Sequence, residues 1–259
     1  MIPQPPVGVR VYDLGRELSP DIPHHPNHPP FMYSLTKLHG DSVDVFGSSA
    51  SSDIITMGTH VGTHIDGLAH FAVDGMLHGG QKALDYSTKT GGYSTLGIET
   101  LAPIVTHAVV ADVPRYLGID RLPDDHLITV EELQATLEHQ RSPIPEGGGL
   151  LLRTGWGREW PNVKHPHDAP GPGIDTIRWA WDAGGRIFGS DTIPFERHPV
   201  DRSPVHRELL IERGTHIFEA LDLEPVCAAG AWEFLLVAAP LKIRGATGAP
   251  VRPVALVLP

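Results

Sequence analysis

Residues 60 to 70 read His-Val-Gly-Thr-His-Ile-Asp-Gly-Leu-Ala-His, three imidazoles and a carboxylate in one short run, and any fold of this chain has to place that run. His60 and His64 stand four apart and can face one point. Asp66 follows two later, where a strand or turn aims it the same way, and Gly62 lets backbone approach closely. The chain has 16 histidines, so chance clustering into a hydrogen-bonded structural group is the plain alternative. Spacing and ligand type favour a metal site. Imidazole nitrogen with carboxylate oxygen suits zinc, manganese or iron better than calcium or magnesium, and three protein ligands leave a position open for water. Val61, Gly62 and Thr63 make poor helix interior, so the zincin pattern of two histidines on a helix is absent. A loop or a helix entrance is expected here.

The run resembles the signature of the metal-dependent cyclase family, which includes bacterial kynurenine formamidase and isatin hydrolase and is written H-x-G-T-H-x-D-x-P-x-H. The chain matches at His60, Gly62, Thr63, His64, Asp66 and His70, and departs at Leu68, where the pattern has proline, on the loop that shapes the pocket. The likeness continues through residues 13–23, 151–156, 189–192, 204–206, 240–243 and 248–252. It implies that His60, His64 and Asp66 bind metal and that His70 is a catalytic acid or base. In two-metal members the shared Asp holds a second ion with a later His and Glu, roles that fall here on His206 and Glu219. It also implies the cyclase-like fold, an α/β arrangement in which a curled mixed sheet resembles a barrel with helices packed outside, assembled as homodimers or larger homo-oligomers.

At 259 residues and 41% hydrophobic content, one large core is within reach, and no internal repeat divides the chain, so a single domain over 1–259 is expected. The one cysteine, Cys227, sits in an apolar run and reads as an inert buried residue. No leader opens the chain and no run approaches the roughly 20 apolar residues of a membrane span, which points to a cytoplasmic protein with no membrane partner. A net charge of -11, from 20 basic against 31 acidic residues, argues against nucleic acid as a partner, because a binder needs a basic face.

Strands are expected over 9–14, 54–57, 108–113 (ended by Pro114), 150–153, 186–189, 234–238 and 254–258. Thr129 followed three residues later by Glu132 signs a helix start, and 174–181 reads as a second helix. The glycine run 147–149 lacks the lysine of a phosphate loop and precedes a strand, so no nucleotide site is assigned. The loop 19–30 carries His24, His25 and His28, solvated on the plain reading, although in the resembling family this loop folds over the active site. His78 lies in a turn-rich segment placed at the pocket rim. Asp191 and Thr192 either support the ligands or form a strand-end turn, and Glu196, Arg197 and His198 carry no distinguishing pattern. Trp156, Trp160, Phe46 and Phe71 either line an apolar pocket or are core.

One or two divalent ions, zinc or manganese, would lower the pKa of bound water from about 16 to about 7, giving hydroxide at neutral pH. His70, beside the metal, would carry the proton. The reading is a hydrolase for a non-peptide carbon–nitrogen bond, in an arylformamide or a cyclic amide, with a small aromatic molecule as its partner. Lactone hydrolysis at the same site is the enzyme alternative, and a non-catalytic metal- or ligand-binding protein the alternative of another class. An open site with an uncommitted base speaks against the last.

Overall fold

The computed structural model describes residues 6–163 and 168–259. Nine strands make one mixed sheet: β1 (Arg10–Asp13), β2 (His64–Asp66), β3 (Ile104–Asp112), β4 (Gly149–Arg153), β5 (Ile187–Ser190), β6 (Ile217–Glu219), β7 (Glu233–Ala238), β8 (Gly248–Pro250) and β9 (Val254–Val257). Their spatial order is β1-β9-β7-β3-β4-β5-β6-β2-β8. The run β3-β4-β5-β6 is parallel and the remaining pairs are antiparallel. The parallel strands carry near-continuous apolar runs, as strands covered on both faces must. Val110, Leu151 and Phe218 face one buried cluster with Leu14, Ile65, Leu236 and Ala249. Their neighbours Val109, Leu150, Leu152, Phe188 and Ile217 face a second.

Helices seal that second face. α1 (Val113–Leu117), α2 (Val130–Gln140) and α3 (Ile174–Asp182) precede α4 (Pro204–His206), which runs directly into a π-helical turn over Arg207–Arg213; α5 (Glu224–Ala228) follows. Leu133 and Leu137 of α2, Ile177 and Ala180 of α3, and Val205, Leu209 and Leu210 pack into the second cluster. Each such large apolar side chain contributes about 1.5–3 kcal/mol relative to exposure. The sheet curls into a half-barrel. Leu14 N–H donates to the Pro253 carbonyl at 2.9 Å and Val251 N–H to the Thr63 carbonyl at 3.1 Å, drawing the chain's early and late segments together.

The expected α/β fold with a curled mixed sheet is the fold observed. The Thr129 hydroxyl accepts from Glu132 N–H at 3.2 Å while the Glu132 carboxylate accepts from Thr129 N–H at 3.1 Å, closing the capping box. Two local expectations are refined. The strand expected at 108–113 runs over Ile104–Asp112, and Val113 with Pro114 forms the first turn of α1, where a missing N–H costs nothing. The strand expected at 54–57 belongs to a separate hairpin, Met32–Lys37 with Ser52–Thr56, and not to the main sheet. Its strands are exposed nearly throughout, and at its tip Val45 and Phe46 are 93% and 89% exposed. Among the described residues no helix is long and apolar enough to cross a membrane.

Candidate metal centre

Most of the motif is the expected loop, with a three-residue strand set into it. His64–Asp66 is strand β2, held between β6 and β8, with Glu219 opposite His64 and Gly248 opposite Asp66. Strand alternation explains the outcome: Ile65 enters the first apolar cluster, and His64 and Asp66 turn to the opposite face. Gly62, at φ +68°, supplies the turn before the strand, where a Cβ would fall 2.3 Å from Leu18 Cδ2. A Cβ on Gly248 would fall 2.5 Å from His60 Cε1, so that glycine makes the space for the His60 ring.

Six sequence-identified residues converge on this face. His60 Nδ1 lies 2.7 Å from Asp66 Oδ1, and its Nε2 lies 2.8 Å from the Thr247 hydroxyl. His64 donates from Nδ1 to the Gly62 carbonyl at 2.9 Å and aims Nε2 between two carboxylates, 3.5 Å from Asp66 Oδ1 and 3.5 Å from Glu219 Oε2. His206 Nε2, delivered by α4, is 3.6 Å from Asp66 Oδ2 and 3.3 Å from Glu219 Oε1. His70 stacks on His60 with ring centroids 3.9 Å apart. Ligand atoms of His60, Asp66 and His70 lie within 4.8 Å of one another, as do those of Asp66, His206 and Glu219, so Asp66 is common to both groups.

These donors fit a cation. Asp66 Oδ2 is buried with no hydrogen-bond partner, an arrangement that costs free energy unless something positive meets it. Burial alone would raise the Asp66 carboxyl, yet the imidazoles of His70, His60 and His64 hold it below the usual carboxylate range. Burial lowers His60 to about 4 despite its bond to Asp66, and burial also lowers His70, so both rings are neutral at pH 7. His206 goes the other way. Burial would depress it, but Glu196 and Glu219 raise it well above the ordinary value.

A cavity of ≈ 370 Å³ opens onto the cluster, lined among others by His28, His70, Phe71, Ile193, Pro194 and His206. The proline-rich loop does fold over the site: His28 lies 4.8 Å from the His60 ring and 6.0 Å from His70, and His25 and Asn27 also line the cavity. Of the aromatic candidates, Phe71 lines it, Trp156 is core, Trp160 packs at the edge of the core and Phe46 sits on the hairpin. Leu68 points into the second apolar cluster.

Three residues expected nearby lie elsewhere. His78 is outside the cavity lining among the described residues and donates from Nδ1 to the Ile211 carbonyl at 2.8 Å, tying its turn to the π-helical segment. Asp191 accepts from Thr154 N–H at 2.9 Å, the Thr154 hydroxyl at 2.7 Å and Gly155 N–H at 2.9 Å, so it builds the turn after β4. Thr192 pairs with the Ser190 hydroxyl at 2.7 Å and accepts from Ala220 N–H, fixing the residue after Glu219 through backbone only. Sequence reasoning passed over Glu196, which accepts from Val205 N–H and His206 Nδ1 at 2.7 Å each, and His216, whose Nδ1 donates to the Asp66 carbonyl at 2.7 Å. Neither stands at a diagnostic spacing.

Similar proteins identify the chain, with its buried imidazole–carboxylate cluster beneath a small cavity, as a hydrolase. The chain is 29% identical over 249 residues to a kynurenine formamidase of Bacillus mycoides (strain KBAB4), covering 93% of this chain and 95% of that one. It is 27% identical over 264 residues to an isatin hydrolase of Roseibium aggregatum, covering 96% and 92%. A crystal structure of a novel cyclase superposes with a TM-score of 0.86 at 27% identity, over 95% of this chain and 86% of the other. The family described as "Putative cyclase" matches residues 12–197, and the chain belongs to that family.

Proposed function

We propose that this hydrolase is metal-dependent and opens a non-peptide carbon–nitrogen bond, of an arylformamide or a cyclic amide, in a small aromatic substrate. The observation that carries the reading is the pair of buried carboxylates, Asp66 and Glu219, facing His64 and His206, with one Asp66 oxygen lacking a hydrogen bond. By resemblance one ion, zinc or manganese, is held by His60, His64 and Asp66 and a second by Asp66, His206 and Glu219; ligand atoms of the second trio lie within 4.8 Å of one another, as do those of His60 and Asp66 with His70. When bound, such ions supply Lewis acidity towards a substrate carbonyl and towards water.

The rest is the work of side chains. Phe71, Ile193 and Pro194 offer an apolar wall to a flat ring and exclude water around it. His70, neutral at pH 7 and on the cavity wall, takes a proton from the attacking water and returns it to the departing nitrogen as the carbon–nitrogen bond breaks. Names of relatives support this substrate class. Elemental analysis for metal, with hydrolysis of N-formylkynurenine, isatin and a dienelactone before and after chelation, tests it. Metal-dependent turnover of either amide is expected; turnover of the lactone alone would replace the substrate class, and a chain that takes up no metal would overturn the reading.

A cytoplasmic location and a homodimer or larger homo-oligomer belong to the same proposal. The assembly draws support from the hairpin, where Tyr33, Leu35, Ile54 and Ile55 are exposed on a two-stranded ribbon that is marginal in water without a cover.

A further inference from the structure

The segment 193–196 touches both late residues of the cluster, and it does so with groups that the reaction itself does not need. Phe195 N–H donates to Glu219 Oε1 at 2.8 Å. One residue on, the Glu196 carboxylate divides its oxygens between two donors: Oε2 accepts from Val205 N–H at 2.7 Å, and Oε1 accepts from His206 Nδ1–H at 2.7 Å. Glu196 is 2% exposed, so water does not substitute for either bond.

The arrangement fixes two things. The bond to Val205 N–H secures the first turn of α4, which lacks any side-chain cap from Ser203 and would otherwise leave that donor buried and unmet. The bond to His206 chooses the nitrogen: with the proton at Nδ1 committed to Glu196, the proton an incoming ion displaces is the one on Nε2, the atom that faces Asp66 and Glu219. Position and tautomer of His206 are therefore set by one side chain with two acceptor oxygens.

We infer that Glu196 is the positioning residue of the second ion, holding His206 on α4 with Nε2 presented to it. This rests on the two-ion site proposed above. Glutamine is the informative replacement, because it keeps the shape of glutamate but offers one acceptor oxygen where two donors need one each. In E196Q either Val205 N–H or His206 Nδ1–H meets an amide NH₂.

The test titrates Zn²⁺ or Mn²⁺ alone into metal-free wild type and E196Q, reading ions per chain and affinity, with thermal melting as the control for folding. The first ion is expected to bind E196Q as in wild type and the second to weaken by about 10- to 100-fold, the usual effect of losing a partner behind a ligand histidine. Equal affinity of both chains for both ions would overturn the inference. Imidazole ¹⁵N spectra of the metal-loaded wild type give a check that does not depend on the variant folding: His206 is expected to carry its proton on Nδ1, and a proton on Nε2 would overturn the inference. A wild type that never takes a second ion overturns it too, whereas hydrolysis by that one-ion protein would leave the functional proposal standing.

Discussion

His70 and His60 stack 3.9 Å apart, yet they should fail differently when removed. With His70 as the proton carrier, His70→Ala is expected to lower kcat by about 10²- to 10⁴-fold and to keep its metal, a loss of metal instead making it a ligand beside His60 and Asp66, whereas Asp66→Ala should abolish metal and activity together. Elemental analysis beside steady-state kinetics separates the two. Titration of the metal-free chain offers a second check. His60 is neutral when folded, with its pKa lowered to about 4 from an ordinary 6.5, so the folded form binds fewer protons than the unfolded one between those values. Its contribution to stability is complete above about pH 6.5 and is lost as pH falls through about 4. His206, raised above 6.5, contributes below that value and loses its contribution as pH climbs through its folded pKa, so the two groups act in separate windows. Melting temperatures of wild type against His60→Ala, measured between pH 4 and 7, should converge towards the acid end. The metal-ligand candidates were legible because the motif spells them and a known spacing places His206 and Glu219. Glu196 was not, since what marks it is a contact across ten positions of irregular chain.

Element by element, legibility tracked burial. Strands β3, β4 and β7 advertise themselves as apolar runs, and α2 through its capping box. Strand β2 did not, because it is three residues long and two of them are the polar members of the cluster. The π-helical turn after His206 leaves no trace in residue periodicity. The close approach of β8 to the His60 ring yields a test at this scale. Gly248→Ala would place a methyl 2.5 Å from His60 Cε1, so the ring or the strand must shift. Overpacking of that kind costs about 1–3 kcal/mol, and a lower melting temperature with reduced metal content is the expected result. An unchanged metal stoichiometry would show that the ring has room to move.

For the whole molecule, the curled sheet followed from resemblance, since alternating strands and helices alone indicate only a mixed α/β domain, and the order of its strands was not legible. The hairpin arm was legible as a strand but not as an arm, because its apolar residues look like core until the fold leaves them outside. Replacing 34–54 by a short turn is expected to yield a smaller particle in sedimentation with the sheet intact; an unchanged mass would remove the arm from the assembly interface. Asp66 belongs to an early strand, while His206 and Glu219 arrive late, on α4 and β6. An ion shared among them is a removable cross-link between distant parts of the chain. At a free concentration of 100 times its dissociation constant it would add about 2.7 kcal/mol to stability, so a chelator should loosen the fold from α4 outwards, and metal supply would set the lifetime of the protein as well as its rate.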